Sequence, residues 1–263
     1  MLKTLLYIDE NLASSIALRF TGYLNKFIPL SLFVIHVEQA GEQEQAGEPL
    51  QKTWEEGAGA RGRRTVYRML RTENIDCPLA GRPKIFIGNR IEEITYELRS
   101  GSYQFYIEGY LNTAEPDRFY RRISSPLYTQ APCPVLLVKN LSISKKCALL
   151  CADGVDPEQL VRQSMKILGN SGFRFDLICF RYKEKGQLEI RPAGEDDATL
   201  REVHSRLLAA GKSAVKSVTA AGTPEQVGNY LKDYALVAST LPASKSRRMA
   251  TLASSQASVL LVH

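Results

Sequence analysis

The chain repeats one pattern twice, and this repeat limits the fold more than any other feature of the sequence. Each half opens with an apolar, strand-like run that ends in aspartate, at residues 5–9 and 148–153. Each half then closes on the same tetrapeptide, Val-Leu-Leu-Val, at residues 135–138 and 259–262. Two copies of one structural unit are therefore expected along the chain.

The length of the chain fits this repeat. A chain of 263 residues is long for a single domain, whereas two domains of about 120–140 residues can each bury a core of their own. We therefore predict a first domain at residues 1–140 and a second, shorter domain at residues 141–263.

The order of apolar runs within each half predicts the fold class. Short apolar runs alternate with stretches whose apolar residues recur at helical spacing, which is typical of βαβ units around a parallel sheet. We predict an α/β fold with two tandem, doubly wound, parallel five-stranded sheets of the Rossmann-like kind. The predicted strands lie at residues 2–8, 30–37, 84–88, 103–107 and 135–138 of the first half and at residues 147–152, 175–180, 215–220, 235–239 and 259–262 of the second.

The basic character of the chain raises the question of a nucleic-acid partner. Its net charge is +6, and its densest basic cluster consists of Arg61, Arg63, Arg64, Arg68 and Arg71. Apolar residues at helical spacing accompany this cluster, so we interpret it as the solvated face of an amphipathic helix. No base-reading motif or platform of interleaved aromatic side chains accompanies the charge, and the sequence therefore does not favour nucleic-acid binding.

The cysteines and histidines give no sign of a metal or redox site. The five cysteines form no Cys-x-x-Cys pair, and three of them lie inside apolar runs, which indicates buried, reduced thiols. None of the three histidines has a second metal-ligating side chain at ligand spacing. We predict that the chain has no metal site.

The apolar runs are too short for a membrane protein. The longest of them have the length of a strand, well below the roughly 20 residues that a membrane-spanning helix needs. The beginning of the sequence also lacks the apolar segment of a secretory signal. We expect a cytoplasmic protein with no membrane partner.

The order of these features resembles the universal stress protein family, once in each half. The resemblance rests on the strand ends at residues 7–9 and 151–153, on the second strand ending at residues 36–38, on residues 131–138, and on a helix entry at residues 222–226. It implies that the two halves pair through their fifth strands as an internal pseudo-dimer, and it allows a homodimer as well. Such pairing would cover two apolar strand edges that are otherwise prone to associate.

The sequence departs from the nucleotide-binding loop of that family. ATP-binding members carry a loop of the form G-x2-G-x9-G-[S/T] after the fourth strand, whose glycines let backbone N–H groups approach the phosphates. The first half keeps Gly109, but Asn112 and Arg122 replace the other two glycines and Ile123 replaces the hydroxyl residue. The second half has no glycine at residues 240–248. We therefore expect weak ATP binding or none, and no cofactor.

If a nucleotide such as ATP or AMP does bind, the sequence places it in the first half. The loop there keeps nearly the family's length, and its arginine and serine side chains could donate hydrogen bonds to phosphate. Each candidate also has a structural interpretation, as a turn or helix cap for the aspartate and serines and as a solvated face for the arginines. The candidate residues are Asp9, Gly109, Arg121, Arg122, Ser124 and Ser125.

The second half offers less at the corresponding place. Asp153 ends its first strand, and this side chain could contact a nucleotide or cap the following turn. The loop after the fourth strand of this half is too short to complete a pocket in the way the family does. The sequence therefore predicts no ligand site there.

The chain shows no group of residues that would form a catalytic site. It has no Ser-His-Asp order, no paired carboxylates and no complete phosphate-binding loop. We predict a non-catalytic stress-response or regulatory module that acts through contacts with a protein partner the sequence does not identify. Two alternatives stay open: an ATP- or AMP-binding stress sensor that uses the first domain, and a nucleotide hydrolase.

Overall fold

Strands and helices alternate along the chain, as the sequence predicts. The computed structural model describes residues 1–39, 48–111, 115–194 and 197–263, and for residues 48–55 it describes the backbone alone. The strands are β1 (Leu2–Tyr7), β2 (Leu30–Glu38), β3 (Lys84–Ile87), β4 (Phe105–Gly109), β5 (Val135–Val138), β6 (Lys146–Cys151), β7 (Arg174–Tyr182), β8 (Glu189–Pro192), β9 (Ala214–Gly222), β10 (Leu236–Thr240) and β11 (Ser258–Val262). The helices are α1 (Leu12–Asn25), α2 (Glu48–Glu73), α3 (Arg90–Gly101), α4 (Pro116–Ile123), α5 (Pro126–Thr129), α6 (Pro157–Leu168), α7 (Ala198–Ala209), α8 (Pro224–Tyr230) and α9 (Arg247–Ser254). Within these described ranges, no helix is both long enough and apolar enough to cross a membrane.

Local sequence signals explain where several helices begin. Asn89 precedes α3 and its side chain accepts a hydrogen bond from the backbone N–H of Ile91 at 2.9 Å. Thr223 and Gln226 form the reciprocal capping box that their spacing predicts at the start of α8. These caps satisfy backbone N–H groups that have no partner within the helix.

All eleven strands of the described chain join one sheet. Their order is β3-β2-β1-β4-β5-β11-β10-β6-β7-β9-β8. The first five are parallel to one another, and so are β11, β10, β6, β7 and β9. The predicted α/β fold with parallel strands is confirmed, but the two predicted five-stranded sheets are joined into one sheet. The strand β8 was not predicted: it pairs antiparallel with β9, and its sequence Glu-Ile-Arg-Pro contains little apolar signal.

The two Val-Leu-Leu-Val segments lie side by side, as predicted. Strands β5 and β11 pair antiparallel, with Leu136 opposite Leu260. Both strands are fully buried, so each covers the edge that the other would expose. The domain division after residue 140 stays a prediction, because the sheet and the buried core run through this junction.

The fourth strand is shifted from its predicted position, and the shift bears on the site. The predicted strand covered residues 103–107, whereas β4 covers Phe105–Gly109. Ser102 ends α3 in the left-handed conformation, and the Tyr103 hydroxyl donates to the Glu97 carboxylate at 2.5 Å. Tyr103 therefore belongs to the turn after α3, and Glu108 becomes part of the strand.

The five cysteines agree with the sequence analysis. All of them are buried and none forms a disulfide. Burial raises the pKa of the Cys133 thiol to about 12. Thiols with such pKa values are inert at neutral pH, since the thiolate is the reactive form.

Candidate functional site

Each half brings the carboxyl ends of its central strands to a point where the strand order reverses. These switch points lie between β1 and β4 in the first half and between β6 and β10 in the second. In open α/β sheets, ligands bind in the crevice outside the strand ends at such a point. The two switch points are therefore the places to examine for a site.

A buried carboxylate dominates the first switch point. Glu108 is the fourth of the five residues of β4 and is completely buried. It forms ion pairs with Arg90 of α3 and with Arg122 of α4, the second with an Nη2 to Oε1 distance of 2.8 Å. The Tyr106 hydroxyl donates to its Oε2 at 2.8 Å. The carboxylate is thus held by two guanidinium groups and one hydroxyl.

The surrounding aromatic rings complete this cluster. The Arg90 guanidinium lies over the Tyr7 ring, 4.3 Å from its centre, and Tyr7 is the last residue of β1. The Tyr128 hydroxyl lies 2.8 Å from Nε of Arg122 and accepts a hydrogen bond from it. Arg90 and Arg122 therefore connect β1, β4 and α5 around Glu108.

The charges of the cluster stabilise its ionised form. Burial works to raise the pKa of Glu108, but Arg122 and Arg90, with the Tyr106 hydroxyl, outweigh it and hold this pKa below its ordinary value. A buried carboxylate needs such partners, because an unpaired buried charge is very costly. Both arginines are used inside the protein to neutralise Glu108.

Asp9 stabilises a turn rather than pointing to an open site. Its carboxylate accepts hydrogen bonds from the Asn11 backbone N–H at 3.0 Å and from the Ser14 hydroxyl at 2.7 Å. The Ser14 hydroxyl in turn accepts from the Asp9 backbone N–H at 2.9 Å. These bonds fix the entry into α1, which is the structural interpretation that the sequence left open for this residue.

Gly109 has a packing reason of its own. A Cβ atom at this position would lie 2.0 Å from the carbonyl oxygen of Ala13 in α1. The backbone of β4 therefore approaches the first turn of α1 so closely that only glycine fits. The glycine is explained without a phosphate.

The remaining candidates are not brought together as a phosphate site. Arg122 is paired with Glu108, and Arg121 is exposed on the last turn of α4. Ser124 is the C-terminal cap of α4, and Ser125 precedes the four-residue α5 without a side-chain capping bond. Asn112 lies outside the described residues. The structure thus groups Arg122 with Glu108 and leaves the other side chains apart, and the proposed nucleotide role of these residues stays a prediction.

An open pocket that was not predicted from the sequence lies beside the second switch point. The prediction that the short loop of this half leaves no ligand site here stays a prediction. A pocket of about 390 Å³ lies at the ends of β6 and β7, beside the beginning of α9. The length of the loop does not reveal that helix α9 itself forms one wall of the pocket. The pocket is lined by Ala152, Asp153, Phe180, Arg181, Tyr182, Ser246, Arg247 and Arg248.

Arg248 is the most deeply buried charge in this pocket. It is 7% exposed, and its Nη1 donates to the Ser239 hydroxyl at 3.0 Å and to the Thr240 carbonyl at 2.7 Å. Its Nη2 donates to the Gly154 carbonyl at 3.0 Å, while its Nε has no partner among the described residues. Burial lowers the pKa of this guanidinium. Arg248 therefore connects the turn after β6 with β10 and α9 without a carboxylate.

The other two arginines of the pocket differ in their partners. Arg181 pairs with Asp197 at 2.7 Å and lies 3.9 Å from the fully exposed Asp153. The Arg247 guanidinium stacks on Tyr182, 3.3 Å from the ring centre. Asp153 does not cap the following helix, because Asp156 takes that position. Across the described residues, Arg247 and Arg248 have no carboxylate partner.

Two signals in the sequence could have pointed to this pocket. Ser246 accepts a hydrogen bond from the Met249 backbone N–H at 3.2 Å, so it is a helix cap of the kind that a serine before an apolar stretch indicates. Arg247 and Arg248 directly follow it and therefore lie on the first turn of α9. Helix N-termini favour anions, so two arginines there are unusual in their own right.

The fold and the two switch points define a Rossmann-like α/β protein, and comparisons with known proteins agree. No protein-family model matches the sequence, and no curated protein matches it. Solved structures match nearly the whole chain. A universal stress protein from Archaeoglobus fulgidus DSM 4304 superposes with a TM-score of 0.60 at 14% identity, covering 98% of this chain and 95% of that one.

Two further solved structures share the fold. A protein of unknown function from Pseudomonas aeruginosa PAO1 has a TM-score of 0.53 at 15% identity, covering 98% of this chain and 91% of its own. The cytoplasmic domain of a prokaryotic cation chloride cotransporter has a TM-score of 0.54 at 12% identity, covering 99% of this chain and 95% of its own. The predicted universal stress protein fold is therefore confirmed. At such identities the likeness concerns the fold alone, and function has to be argued from the sites.

Proposed function

We propose that the chain is a non-catalytic stress-response or regulatory module that acts through contacts with another protein, and that its first half has lost the family's nucleotide site. The observation that carries this proposal is the Glu108 cluster. It uses Arg90 and Arg122 internally at the place where the resemblance puts a nucleotide. A phosphate there would meet a buried carboxylate instead of a backbone nest.

The absence of a candidate catalytic group at either switch point supports a non-catalytic role. In the first, Asp9 is held by Asn11 and Ser14. In the second, Asp153 is the one carboxylate among the described lining residues, and it is fully exposed. At the first switch point the Ser14 hydroxyl lies 2.7 Å from the Asp9 carboxylate, but the same hydroxyl accepts from the Asp9 backbone N–H at 2.9 Å and is thereby held within the turn.

Calorimetric titration with ATP and with AMP tests the proposal. We expect no saturable heat at nucleotide concentrations up to about 1 mM, which corresponds to binding weaker than about 4 kcal/mol. A parallel assay of phosphate release from ATP is expected to stay at the rate of a protein-free sample. Measurable turnover would instead support the nucleotide hydrolase that the sequence leaves open.

The second candidate function is an ATP- or AMP-binding sensor, now placed in the second half. The specific observation in its favour is the pocket with Arg247 and the buried Arg248, neither of which has a carboxylate partner in the described chain. Arginine side chains can bind phosphate bidentately. They would replace the backbone N–H groups that glycines provide elsewhere in the family.

If nucleotide binding is detected, three variants distinguish a site in the first half from a site in the second half. Arg247→Gln removes one cation from the second pocket, and Arg121→Gln removes an exposed cation of the same type from the first half. Loss of binding in the Arg247 variant alone would support the second-half sensor, and loss in the Arg121 variant alone would support the first-half site predicted from the sequence. Arg162→Gln, an exposed change outside both sites, is the control for net charge.

A further inference from the structure

The outer face of α2 carries a row of arginines that neither switch point uses. Arg61, Arg64, Arg68 and Arg71 are spaced by three, four and three residues and are all exposed. This spacing places them on one side of the helix, and we call this row the arginine ladder. It extends over about 15 Å, since ten residues rise by about 1.5 Å each.

The opposite side of α2 holds the helix on the sheet. Val66 is completely buried, and a Cβ atom at Gly62 would lie 2.7 Å from Ile85 of β3 and 2.8 Å from His36 of β2. The helix is therefore fixed by its inner face. The arginine ladder is not needed for that packing.

The ladder lacks the acidic partners that a solvated helix face normally has. No Asp or Glu lies three or four residues from any of its four arginines, so no stabilising pair forms along the helix. The nearest acid on α2, Glu73, is engaged by Arg19 and by the Ser15 hydroxyl of α1. Among the described residues, none of the four forms an ion pair.

Placing these arginines together has an energetic cost. Like charges three or four residues apart on a helix destabilise it by about 0.2–0.5 kcal/mol per pair, and the ladder contains three such neighbours: Arg61 with Arg64, Arg64 with Arg68, and Arg68 with Arg71. A bound polyanion would relieve this repulsion. All the cations are arginines, whose planar fork fits phosphate better than a lysine ammonium does.

An exposed aromatic ring lies within the same row. Tyr67 is 43% exposed, and its sequence position lies between Arg64 and Arg68. Together with Arg63 and Glu10, these residues line an open groove of about 910 Å³. A cationic groove with an aromatic platform is the arrangement that binds single-stranded nucleic acid, through phosphates on the cations and a base on the ring.

From these features we infer that the arginine ladder and Tyr67 form a binding surface for single-stranded nucleic acid without sequence preference. This inference reverses the expectation from the sequence, in which no aromatic platform accompanied the arginines. Tyr67 was not included in that interpretation. The inference is separate from the proposed function, since it uses none of the residues at the two switch points. Among the described residues that line the groove, Glu10 is the one acidic side chain, and it opposes binding.

Fluorescence anisotropy of the full chain with a labelled, mixed-sequence single strand tests the inference. With four phosphate contacts, the slope of log affinity against log salt is expected to be about −3, because each contact on a single strand contributes about −0.7. The triple variant Arg61→Gln, Arg64→Gln and Arg68→Gln should reduce this slope to about −1 and weaken binding at low salt by at least about 30-fold.

The matched control changes the net charge equally but elsewhere. The triple variant Arg82→Gln, Arg162→Gln and Arg201→Gln removes three exposed arginines outside the ladder and should weaken binding by less than about threefold. The Tyr67→Leu variant keeps every charge, removes the stacking platform, and should weaken binding by at least about fivefold. Circular dichroism confirms that each variant is folded.

Several outcomes would overturn the inference. Absence of binding at low salt would do so directly, and so would equal losses in the ladder and control variants, which would indicate attraction by net charge alone. Unchanged binding by Tyr67→Leu would exclude single-strand stacking. Association with vesicles containing anionic lipid, without any association with the oligonucleotide, would assign the ladder to a membrane surface instead.

Discussion

The two switch points occupy the same place in the fold but neutralise charge in different ways. In the first, the fourth residue of β4 is Glu108, and two arginines converge on it. In the second, the fourth residue of β10 is Ser239, and the single Arg248 donates to it and to nearby carbonyls. One site is closed by ion pairs, and the other keeps an open pocket with an arginine that has no acidic partner in the described chain.

This difference shows that a shared fold does not preserve a shared site. A carboxylate at the end of the fourth strand attracts the cations that would otherwise be available to a ligand, whereas a hydroxyl at that position leaves them available. The first half therefore gains a buried, well-connected core at its switch point. The second half keeps an open pocket with Arg247 and Arg248 beside its switch point.

The largest expected effect comes from replacing Glu108 with serine, the residue type that Ser239 provides at the corresponding position of the second half. The Glu108→Ser variant leaves Arg90 and Arg122 side by side without their carboxylate, and removing one partner of a buried ion pair costs about 3–5 kcal/mol. We expect the free energy of unfolding, measured by urea denaturation, to fall by about this amount. The corresponding change Ser239→Ala in the second half removes a hydroxyl that accepts from Arg248 and donates to the Thr240 carbonyl. Arg248 keeps its bonds to Thr240 and Gly154, so the cost should be about 1 kcal/mol.

Equal losses of unfolding free energy in these two variants would contradict the difference between the two switch points. They would show that solvent reaches Arg90 and Arg122 as easily as it reaches the second pocket. A second measurement sharpens the test: phosphate ions should stabilise the Glu108→Ser variant more than the wild type, because the two arginines would then be free to bind an anion. Phosphate ions should stabilise the wild type and the Ser239→Ala variant to the same extent.

The next largest effect concerns the residue after Glu108. Gly109→Ala would place a Cβ atom 2.0 Å from the Ala13 carbonyl oxygen, so β4 and α1 would have to move apart. Overpacking of this kind costs about 2–3 kcal/mol, which thermal or urea unfolding would measure. In the second half the corresponding fifth residue of β10 is Thr240, which already carries a Cβ atom, and Thr240→Ala should cost clearly less.

A generic cost of adding a methyl group has to be excluded for this variant. Gly172→Ala is the control, because a Cβ atom at Gly172 would meet nothing within 4 Å. Its stability should match that of the wild type to within about 0.5 kcal/mol. If Gly109→Ala is equally neutral, the close approach of β4 to α1 does not explain this glycine. That result would instead favour the interpretation of Gly109 as a remnant of a nucleotide loop.

The sequence predicted what depends on local pattern and missed what depends on distant partners. Most strands and the capping box of Thr223 and Gln226 follow from short-range periodicity and capping chemistry, whereas the pairing of the two Val-Leu-Leu-Val segments was predicted from the repeat and the family resemblance. Glu108 was missed because a carboxylate ordinarily indicates the end of a strand, and its burial depends on Arg90 and Arg122, which lie 18 and 14 residues away. Arg248 was missed because one of its acceptors, Gly154, is 94 residues distant.

The smallest expected effect contrasts the residues that follow the two Val-Leu-Leu-Val strands, Lys139 and His263. Lys139 is 6% exposed, and its Nζ donates to the carbonyls of Leu252, Ala253 and Ser255 at the end of α9 at 2.7–3.0 Å. Burial lowers the pKa of Lys139 to about 7. Burial also lowers the pKa of His263 below its ordinary value of 6.5. The two residues should therefore affect stability in different pH ranges.

For both residues the unfolded state binds more protons than the folded state between the two pKa values, so stability rises with pH in that range. For Lys139 the range extends from about 7 up to its ordinary value of 10.5, and for His263 it lies below 6.5. Between about pH 7 and pH 9, the unfolding free energy of the wild type should therefore increase by about 1–2 kcal/mol more than that of Lys139→Met, since one pKa unit corresponds to about 1.4 kcal/mol. The His263→Asn variant should follow the wild type over this interval and differ from it only at lower pH. Parallel curves for the wild type and Lys139→Met would show that the three carbonyls and the C-terminal end of α9 stabilise the ammonium enough to offset its burial, so that the junction between the halves is held by a permanently charged lysine.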